Sequence, residues 1–196
     1  MEHFHATIHG WTDFEDIYQD MVASAVSPAH FVEVGSWLGR SAAFMAVAIV
    51  NSDKAIKFDC VDTWAGSHEH IDPASSVFVP ELASDKNWLY ANFLKNTQPA
   101  LAFINPVRLP SVEAAALYAD NSLDFVFIDA AHDYENVKAD ITAWYPKVKV
   151  GGTIAGHDYG WPGSGVHDAV NEYLASVGNS PKPHNSSWIA VKTISL

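Results

Sequence analysis

The stretch DFVFIDAAHDYENV, residues 124–137, decides the fold class of this chain. Its apolar run, Phe125–Ile128, predicts a strand buried on both faces, which is typical of a parallel sheet. The run ends at Asp129, and His132 follows three residues later. Because a carboxylate at the end of a buried strand is costly unless it is paired, we expect Asp129 to meet a cofactor, a metal ion or a backbone donor.

Strands and helices alternate along the rest of the chain, which predicts crossover units and an α/β fold with helices on both faces of a mostly parallel sheet. Near the N-terminus, Phe14, Ile17, Tyr18 and Met21 have helical spacing and predict a further helix. The doublet Gly151–Gly152 predicts a turn. The predicted strands are residues 30–34, 56–61, 102–107, 123–128, 153–156 and 188–194, and the predicted helices are residues 40–50, 85–95, 112–118, 134–145 and 165–175.

The length and composition of the chain fit one domain. With 196 residues, of which 48% are hydrophobic, the chain can build one full core and is short for two. We therefore predict a single domain over residues 1–196, with an N-terminal helical extension over residues 1–29. The segment 64–97 is too long for a simple connection, so we expect an insertion that acts as a lid or substrate loop, or else a plain surface loop.

Charge and cysteine content exclude several classes of partner. The formal net charge is −12 and the 11 Lys and Arg residues are scattered, so we expect no nucleic-acid partner and no anionic membrane surface. No apolar run is long enough to span a membrane, and the N-terminus lacks the pattern of a signal peptide. The one cysteine, Cys60, allows no intrachain disulfide and is predicted to be a core residue. We expect a cytoplasmic protein whose partner is a small molecule, and its oligomeric state stays open, a homo-oligomer included.

A glycine loop, EVGSWLG at residues 33–39, follows the first predicted strand. Gly35 removes a side chain where a ligand would approach the backbone. Trp37 and Arg40 occupy the second and third glycine positions of the G-x-G-x-x-G pattern, which argues against a nicotinamide dinucleotide. Glu33 could accept hydrogen bonds from an ammonium group, and Asp62, at the end of the second strand, could accept them from two ribose hydroxyls.

These segments resemble those of the class I S-adenosylmethionine-dependent methyltransferases. The likeness covers the chain from Phe31 to the C-terminus. Within the superfamily, the chain looks most like the small metal-dependent O-methyltransferases of the catechol and macrolide-sugar types. It implies a Rossmann-like methyltransferase fold whose seven-stranded sheet contains one antiparallel strand. The segments that carry it are EVGSWLG (33–39), DCVDTWAG (59–66), RLPSVEAAAL (108–117), DFVFIDAAHDY (124–134) and KVGGTIAGHDY (149–159).

The resemblance also implies where S-adenosylmethionine would bind. Asp129 would lie at this cofactor, and Ser111 near its adenine, although Ser111 could equally cap a helix. In order from the methionine part through the ribose to the adenine, the cofactor residues would be Glu33, Gly35, Ser36 and Gly39, then Asp62, Thr63 and Trp64, then Ser111 and Val112.

The resemblance implies that the fourth and fifth strands lie side by side, so Asp129 and Asp158 at their ends would raise each other's pKa unless a cation lay between them. The resemblance implies a divalent metal held by Asp129, His157 and Asp158, although His157 could instead hydrogen-bond the substrate and leave only the two carboxylates as ligands. Oxygen ligands favour Mg²⁺, whereas an imidazole favours Mn²⁺ or another transition metal. The alternative is that the two carboxylates only cap the turns that follow them. By the same resemblance His132 would be the general base, although it could instead be a helix-start histidine bonded to Asp129 or Glu135.

The sequence therefore favours a metal-assisted O-methyltransferase that acts on a small hydroxylated acceptor, such as a phenol, a sugar or a natural product. Tyr159, Trp161 and Pro162 are predicted to form one wall of the acceptor pocket, opposite Trp64 and the loop 68–70, or else a simple aromatic turn. Two alternatives stay open. One is a metal-independent methyltransferase of the same fold, N-methylation included, and the other is a non-catalytic cofactor-binding member of the fold.

Overall fold

A computed structural model describes residues 1–194, which form one seven-stranded sheet with helices on both faces. The strand order is β3-β2-β1-β4-β5-β7-β6. Strands β1 to β5 run parallel, and β7 runs antiparallel to both of its neighbours. The predicted α/β fold, with one antiparallel strand in a mostly parallel sheet, is confirmed. The strands are β1 (Ala29–Val34), β2 (Ile56–Asp62), β3 (Asn105–Arg108), β4 (Leu123–Ile128), β5 (Val148–Gly156), β6 (Lys182–His184) and β7 (Ser187–Val191).

Two layers of helices bury the two faces of this sheet. Helices α1, α2 and α5 contribute to the apolar cluster on one face, and α6, α7 and α8 to the cluster on the other. Short α3 and α4 lie in the predicted insertion. The helices are α1 (Glu15–Ser24), α2 (Arg40–Ser52), α3 (His68–Ile71), α4 (Pro80–Ser84), α5 (Trp88–Thr97), α6 (Ser111–Ala115), α7 (Tyr134–Trp144) and α8 (Val166–Ser176).

Strand β4 shows why the apolar run near the middle of the chain is continuous. Phe125 and Phe127 pack into the cluster beneath α1 and α2, whereas Val126 and Ile128 pack into the cluster beneath α7 and α8. Successive side chains of a strand point to opposite faces, so a strand covered on both sides needs apolar residues at every position. The strand ends at Ile128, and Asp129 follows it at the carboxyl edge of the sheet.

Several element boundaries differ from the sequence prediction. Strand β3 begins three residues later than predicted, because Gln98–Phe103 forms a 3₁₀ helix with a proline in its first turn. Strand β5 begins five residues earlier, and Gly151–Gly152 lie inside it rather than in a turn. Gly151 has φ +84°, and the β4–β5 register shifts in this region. Strand β6 has only three residues, too few to give a sequence pattern.

The N-terminal extension contains a 3₁₀ helix (His5–Thr7) and α1. Phe14, Ile17 and Tyr18 are buried against the sheet, as their helical spacing predicts, and Cys60 is buried in the same core. None of the helices in residues 1–194 combines the length and the apolarity that a membrane crossing requires. Residues 195 and 196 of the predicted domain lie outside the described part of the chain.

Candidate active site

A cavity of about 1110 Å³ opens where the parallel strands end. The residues that follow β1, β2, β4 and β5 all line it, together with parts of the N-terminal extension and of the insertion before α5. This is the edge at which ligands bind in open α/β sheets. The predicted site residues that line the cavity are Gly35, Ser36, Asp62, Thr63, Ser111, Val112, Asp129, His132, His157 and Asp158.

Glu33 was expected beside the cofactor, but its carboxylate points away from the cavity. The residue is 1% exposed, and the Tyr18 hydroxyl donates a 2.7 Å hydrogen bond to its Oε2. Burial raises the pKa of Glu33 to about 7, even though the hydrogen bond from Tyr18 opposes the rise. Glu33 therefore lies beneath the glycine loop and supports it from the α1 side.

Gly39 and Trp64 also lie outside the group of described residues that line the cavity. A Cβ on Gly39 would be 2.6 Å from Cγ2 of Thr97, so this glycine allows the start of α2 to pack against α5. Trp64 is fully buried, and its Nε1 donates a 3.0 Å hydrogen bond to the Trp37 carbonyl oxygen. Both residues pack beneath the residues that line the cavity. Trp64 therefore does not belong to the wall of the acceptor pocket, where the sequence analysis placed it.

Gly35 brings the ends of β1 and β4 into contact. It has φ +88°, a conformation that L side chains rarely adopt. A Cβ at this position would be 1.9 Å from the carbonyl oxygen of Asp129. The Asp129 N–H in turn donates a 2.7 Å hydrogen bond to the carbonyl oxygen of Val34. The glycine thus allows a close approach between the predicted cofactor loop and the first predicted metal ligand.

Asp62 fixes the same loop from the other side. Its Oδ2 accepts hydrogen bonds from the backbone N–H groups of Ser36 (2.9 Å) and Trp37 (3.0 Å). Its Oδ1 accepts one from the N–H of Trp64 (2.7 Å). Burial raises the pKa of Asp62, and these backbone donors oppose the rise. Because the carboxylate also lines the cavity, it can offer remaining lone pairs to the hydroxyls of a ligand.

Asp129, His132 and Asp158 form a group whose ligand atoms all lie within 4.8 Å of one another, close enough to hold one metal ion. His132 Nε2 is 3.1 Å from Asp158 Oδ2, and its Nδ1 is 3.5 Å from Oε1 of Glu69, which comes from α3. Burial acts to lower the pKa of His132, but its hydrogen bond with Asp158 and the nearby carboxylate charges raise it. Two carboxylates and an imidazole suit Mn²⁺ and also allow Mg²⁺.

His157, the third metal ligand predicted from sequence, has other partners here. Its Nε2 is 3.1 Å from Asp13 Oδ1 and 2.8 Å from the Ser186 hydroxyl. Its Nδ1 is 3.5 Å from Asp129 Oδ1 and 3.4 Å from Asp158 Oδ2. Burial opposes a charge on the ring, yet the two carboxylates raise the pKa of His157 to about 10. As an imidazolium, His157 already compensates the acids and would have to lose its proton to ligate a metal.

The aromatic residues that line the cavity come from the loop after β5 and from the N-terminal extension. Trp161 lines the cavity and is 49% exposed, and its ring lies nearly perpendicular to that of His132 at a centroid distance of 4.9 Å. Trp11, from the N-terminal extension, also lines the cavity. Tyr159 does not belong to the described lining, because it packs toward α8, where Asn171 donates a hydrogen bond to its hydroxyl. The predicted aromatic wall is therefore reduced to Trp161, with Trp11 as an addition.

Sequence reasoning missed several residues that line the cavity. Trp11 and Asn136 gave no signal, because their part in the site depends on chain packing, whereas Glu69 lies in the predicted loop 68–70 but was not singled out. Asp140 did carry a signal: it lies among Val137, Ile141 and Trp144 on the buried face of α7. A carboxylate on an apolar helix face is a candidate functional group.

Comparisons with known proteins agree with this geometry. Residues 32–159 match the family model of a methyltransferase domain. The uncharacterized protein y4gI of Sinorhizobium fredii (strain NBRC 101917 / NGR234) is 28% identical over 134 residues, which is 68% of this chain but only 13% of that protein. The aligned part is therefore a small fraction of this much longer relative.

Solved structures show the same fold. The O-methyltransferase NovP superposes with a TM-score of 0.68 at 18% identity, over 92% of this chain and 79% of NovP. The calicheamicin methyltransferase CalS11 superposes with a TM-score of 0.63 at 16% identity, over 90% of this chain and 76% of CalS11. A putative caffeoyl-CoA O-methyltransferase from Staphylococcus aureus superposes with a TM-score of 0.61 at 14% identity, over 95% of this chain and 87% of that protein. Since the family model spans more than half of the sequence, the chain belongs to the methyltransferase-domain family, and its place among the class I S-adenosylmethionine-dependent methyltransferases is confirmed.

Proposed function

We propose that this chain transfers the methyl group of S-adenosylmethionine to a hydroxyl of a small acceptor, with the assistance of a divalent cation. The observation that carries the proposal is one shared cavity. The glycine loop and Asp62 line one part of it, and the group Asp129, His132 and Asp158 lines another. A donor and an activated oxygen can therefore be held side by side, and such positioning supplies much of the acceleration of a group transfer.

The cofactor residues that line the cavity suit S-adenosylmethionine. Asp62 would accept hydrogen bonds from the ribose, and the loop residues Gly35 and Ser36, which line the cavity, would lie beside the methionine part. Ser111 and Val112, at the start of α6, would lie beside the adenine. Glu33 would act from beneath the loop through its bond with Tyr18.

The cation would be held by Asp129, Asp158 and one imidazole, that of His132 or His157. When bound, it would lower the pKa of an acceptor hydroxyl. We propose His132 as the base that takes the hydroxyl proton, because it lines the cavity and the Asp158 carboxylate, 3.1 Å from its Nε2, raises its pKa and so its strength as a base. Since His132 also belongs to the candidate metal group, its two roles require separate measurements.

The acceptor is proposed to be a phenol, a sugar or a related natural product. Trp161 and Trp11 offer flat apolar surfaces to a ring, and His70 lies on the insertion side of the same cavity. The net charge of −12 supports a small-molecule partner rather than a nucleic acid. We also propose a cytoplasmic protein, since its one cysteine is buried and unpaired.

The test begins with calorimetric titration of the full chain with S-adenosylmethionine, for which we expect saturable binding at one site. Transfer of a labelled methyl group is then measured over a panel of phenols and sugars, with Mg²⁺ or Mn²⁺ and with a chelator. Loss of turnover in the chelator supports the metal-assisted reaction, and turnover that survives it identifies a metal-independent methyltransferase. Binding without transfer to any acceptor would favour a non-catalytic role, and absence of binding would refute the proposal.

A further inference from the structure

The outer side of the His157 ring contacts two residues to which the proposed reaction gives no role. The Ser186 hydroxyl donates to the Asp13 carboxylate, at 2.7 Å from Oδ1 and 2.6 Å from Oδ2. Nε2 of His157 lies 2.8 Å from the same hydroxyl oxygen and 3.1 Å from Asp13 Oδ1. Asp13 belongs to the N-terminal extension, and Ser186 to the turn between β6 and β7. Two segments outside the parallel strands thus meet at this ring.

These contacts decide which ring nitrogen of His157 carries a proton. An ionised carboxylate only accepts hydrogen bonds, and a serine hydroxyl has one proton to donate. Because the proton of Ser186 goes to Asp13, the Ser186 oxygen can only accept from His157. Nε2 is therefore a protonated nitrogen, held from outside by two acceptors.

The other nitrogen, Nδ1, faces the two acids at the strand ends. It lies 3.5 Å from Asp129 Oδ1 and 3.4 Å from Asp158 Oδ2. A neutral ring with its proton on Nε2 presents a lone pair here, so three electron-rich atoms converge and favour a cation between them. Ligand atoms that bind one ion at about 2.1 Å lie about 3.0–3.4 Å apart, close to these separations. A metal ion would take the place of the second proton of the imidazolium.

The N-terminal extension also fixes the plane of this ring. Phe14, which follows Asp13, is 1% exposed, and its ring packs against that of His157 at an angle of 62° and a centroid distance of 5.0 Å. The Asn185 side chain donates a 3.4 Å hydrogen bond to the carbonyl oxygen of Asp13, which holds the backbone of the extension. These contacts keep Nδ1 directed toward the acids.

We infer that His157 is the imidazole ligand of the proposed cation, through Nδ1, and that Asp13 and Ser186 are positioning residues that present this nitrogen. The inference rests on the proposed function, because it assumes a bound divalent cation. It leaves His132 free to act as the base. Histidines that ligate metals usually donate their other N–H to a carboxylate, a backbone carbonyl or water, and loss of this partner weakens metal binding by about 10–100-fold.

The test uses the full chain and Mn²⁺ alone, with free Mn²⁺ measured by its EPR signal. Asp13→Asn replaces one acceptor oxygen with an N–H donor. Ser186 can then accept from residue 13 and donate to Nε2, which moves the ring proton to Nδ1. This variant and Ser186→Ala should bind Mn²⁺ about 10–100-fold more weakly than the wild-type chain. Asp16→Asn is the matched control, because this acid of the same extension contacts His184 instead, and it should keep the wild-type affinity.

Pulsed EPR of bound Mn²⁺ separates ligand positioning from a purely structural role. The wild-type spectrum should show coupling to one imidazole nitrogen, which His157→Gln should lose and His132→Gln should retain. Should His157→Gln fail to fold, the spectrum of His132→Gln decides.

Three results would overturn the inference. The first is loss of the nitrogen coupling in His132→Gln, the second is a wild-type spectrum without nitrogen coupling, and the third is wild-type Mn²⁺ affinity in Asp13→Asn. If the wild-type chain bound no Mn²⁺ or Mg²⁺ but still bound S-adenosylmethionine, the metal-assisted reaction itself would be refuted, and the inference with it.

Discussion

The Tyr18 hydroxyl donates a 2.7 Å hydrogen bond to Oε2 of Glu33, and this bond joins α1 to the end of β1. Both side chains are buried, and Cys60 and Asp129 are the other titratable groups whose charges act on this pair. Tyr18, Ser36 and Ser41 all offer side-chain hydrogen bonds to this carboxylate, yet burial still outweighs them and raises its pKa. Its protonation should be visible in the stability of the whole domain.

Glu33 should make folding depend on pH. Its folded-state pKa is about 7, against an ordinary value of 4.5. The folded state thus holds the proton more tightly than the unfolded state, so this stabilisation is complete below pH 4.5 and is lost as the pH rises through about 7. The loss is on the order of 3 kcal/mol. In Glu33→Gln the amide cannot ionise, and this part of the pH dependence should disappear.

Urea unfolding of the wild-type and Glu33→Gln chains across this pH range measures the effect. The difference between their free energies of unfolding should change in favour of the variant as the pH rises. Glu81→Gln, an exposed acid in α4, should leave the wild-type profile unchanged. Parallel profiles for wild type and Glu33→Gln would show that Glu33 is ionised at the same pH in both states.

Gly35→Ala should be severely destabilising. The added Cβ would lie 1.9 Å from the Asp129 carbonyl oxygen, and the residue would also have to keep φ +88°. We expect a loss of more than about 3 kcal/mol in the free energy of unfolding, because backbone must move against backbone. Gly151→Ala is the control, since its φ of +84° is similar but no atom lies within 4 Å of the added Cβ. It should cost only about 1–2 kcal/mol. Equal costs in thermal unfolding would contradict the close-contact argument.

His132→Ala should show whether His132 acts as the general base or as a metal ligand. If His132 takes the acceptor proton, kcat should fall by about 10²–10⁴ while the affinities for S-adenosylmethionine and for Mn²⁺ change little. His167→Ala, which removes an exposed histidine of α8, should retain the wild-type rate. A parallel loss of Mn²⁺ affinity would make His132 a ligand rather than the base. An unchanged kcat would remove it from the reaction altogether.

Arg40→Ala should loosen the N-terminal extension. The Arg40 side chain donates 3.1 Å hydrogen bonds to Thr12 Oγ1 and to the Ile8 carbonyl oxygen, and the neighbouring residues 9–11 line the cavity. Hydrogen exchange of amides in the segment 8–12 should become at least about tenfold faster, because bonds from a charged donor are lost. Arg108→Ala, which removes bonds to Lys86 and Asn87 outside this segment, should leave that exchange unchanged. Unchanged exchange in Arg40→Ala would mean that other contacts hold the segment.

Much of the fold was predictable because its signals are local. The bounds of β4 agree with the prediction to the residue, since four consecutive apolar residues end at a carboxylate. Asp62, Asp129 and Asp158 were found as cavity residues because the carboxyl ends of parallel strands share one edge. The orientation of the Glu33 side chain could also have been predicted from the sequence. Strand alternation places Glu33 on the same face of the sheet as Phe31, toward α1.

The remaining features depend on contacts between distant parts of the chain. Asp13 lies 144 residues from His157 and 173 residues from Ser186, yet the three side chains meet at one point. No periodicity in the sequence reports such a meeting. The contacts of Asp13 and Ser186 with Nε2 of His157, and the proximity of His132 to Asp129 and Asp158, have the same origin.

This meeting point limits how the protein can be shortened for experiments. The segment that matches the family model, residues 32–159, contains His157 but neither Asp13 nor Ser186. An excised fragment with those boundaries would keep the reaction-centre acids and lose both groups that hold the imidazole from outside. Expression clones meant to report on the chemistry therefore have to retain the stretches that flank the matched segment on both sides.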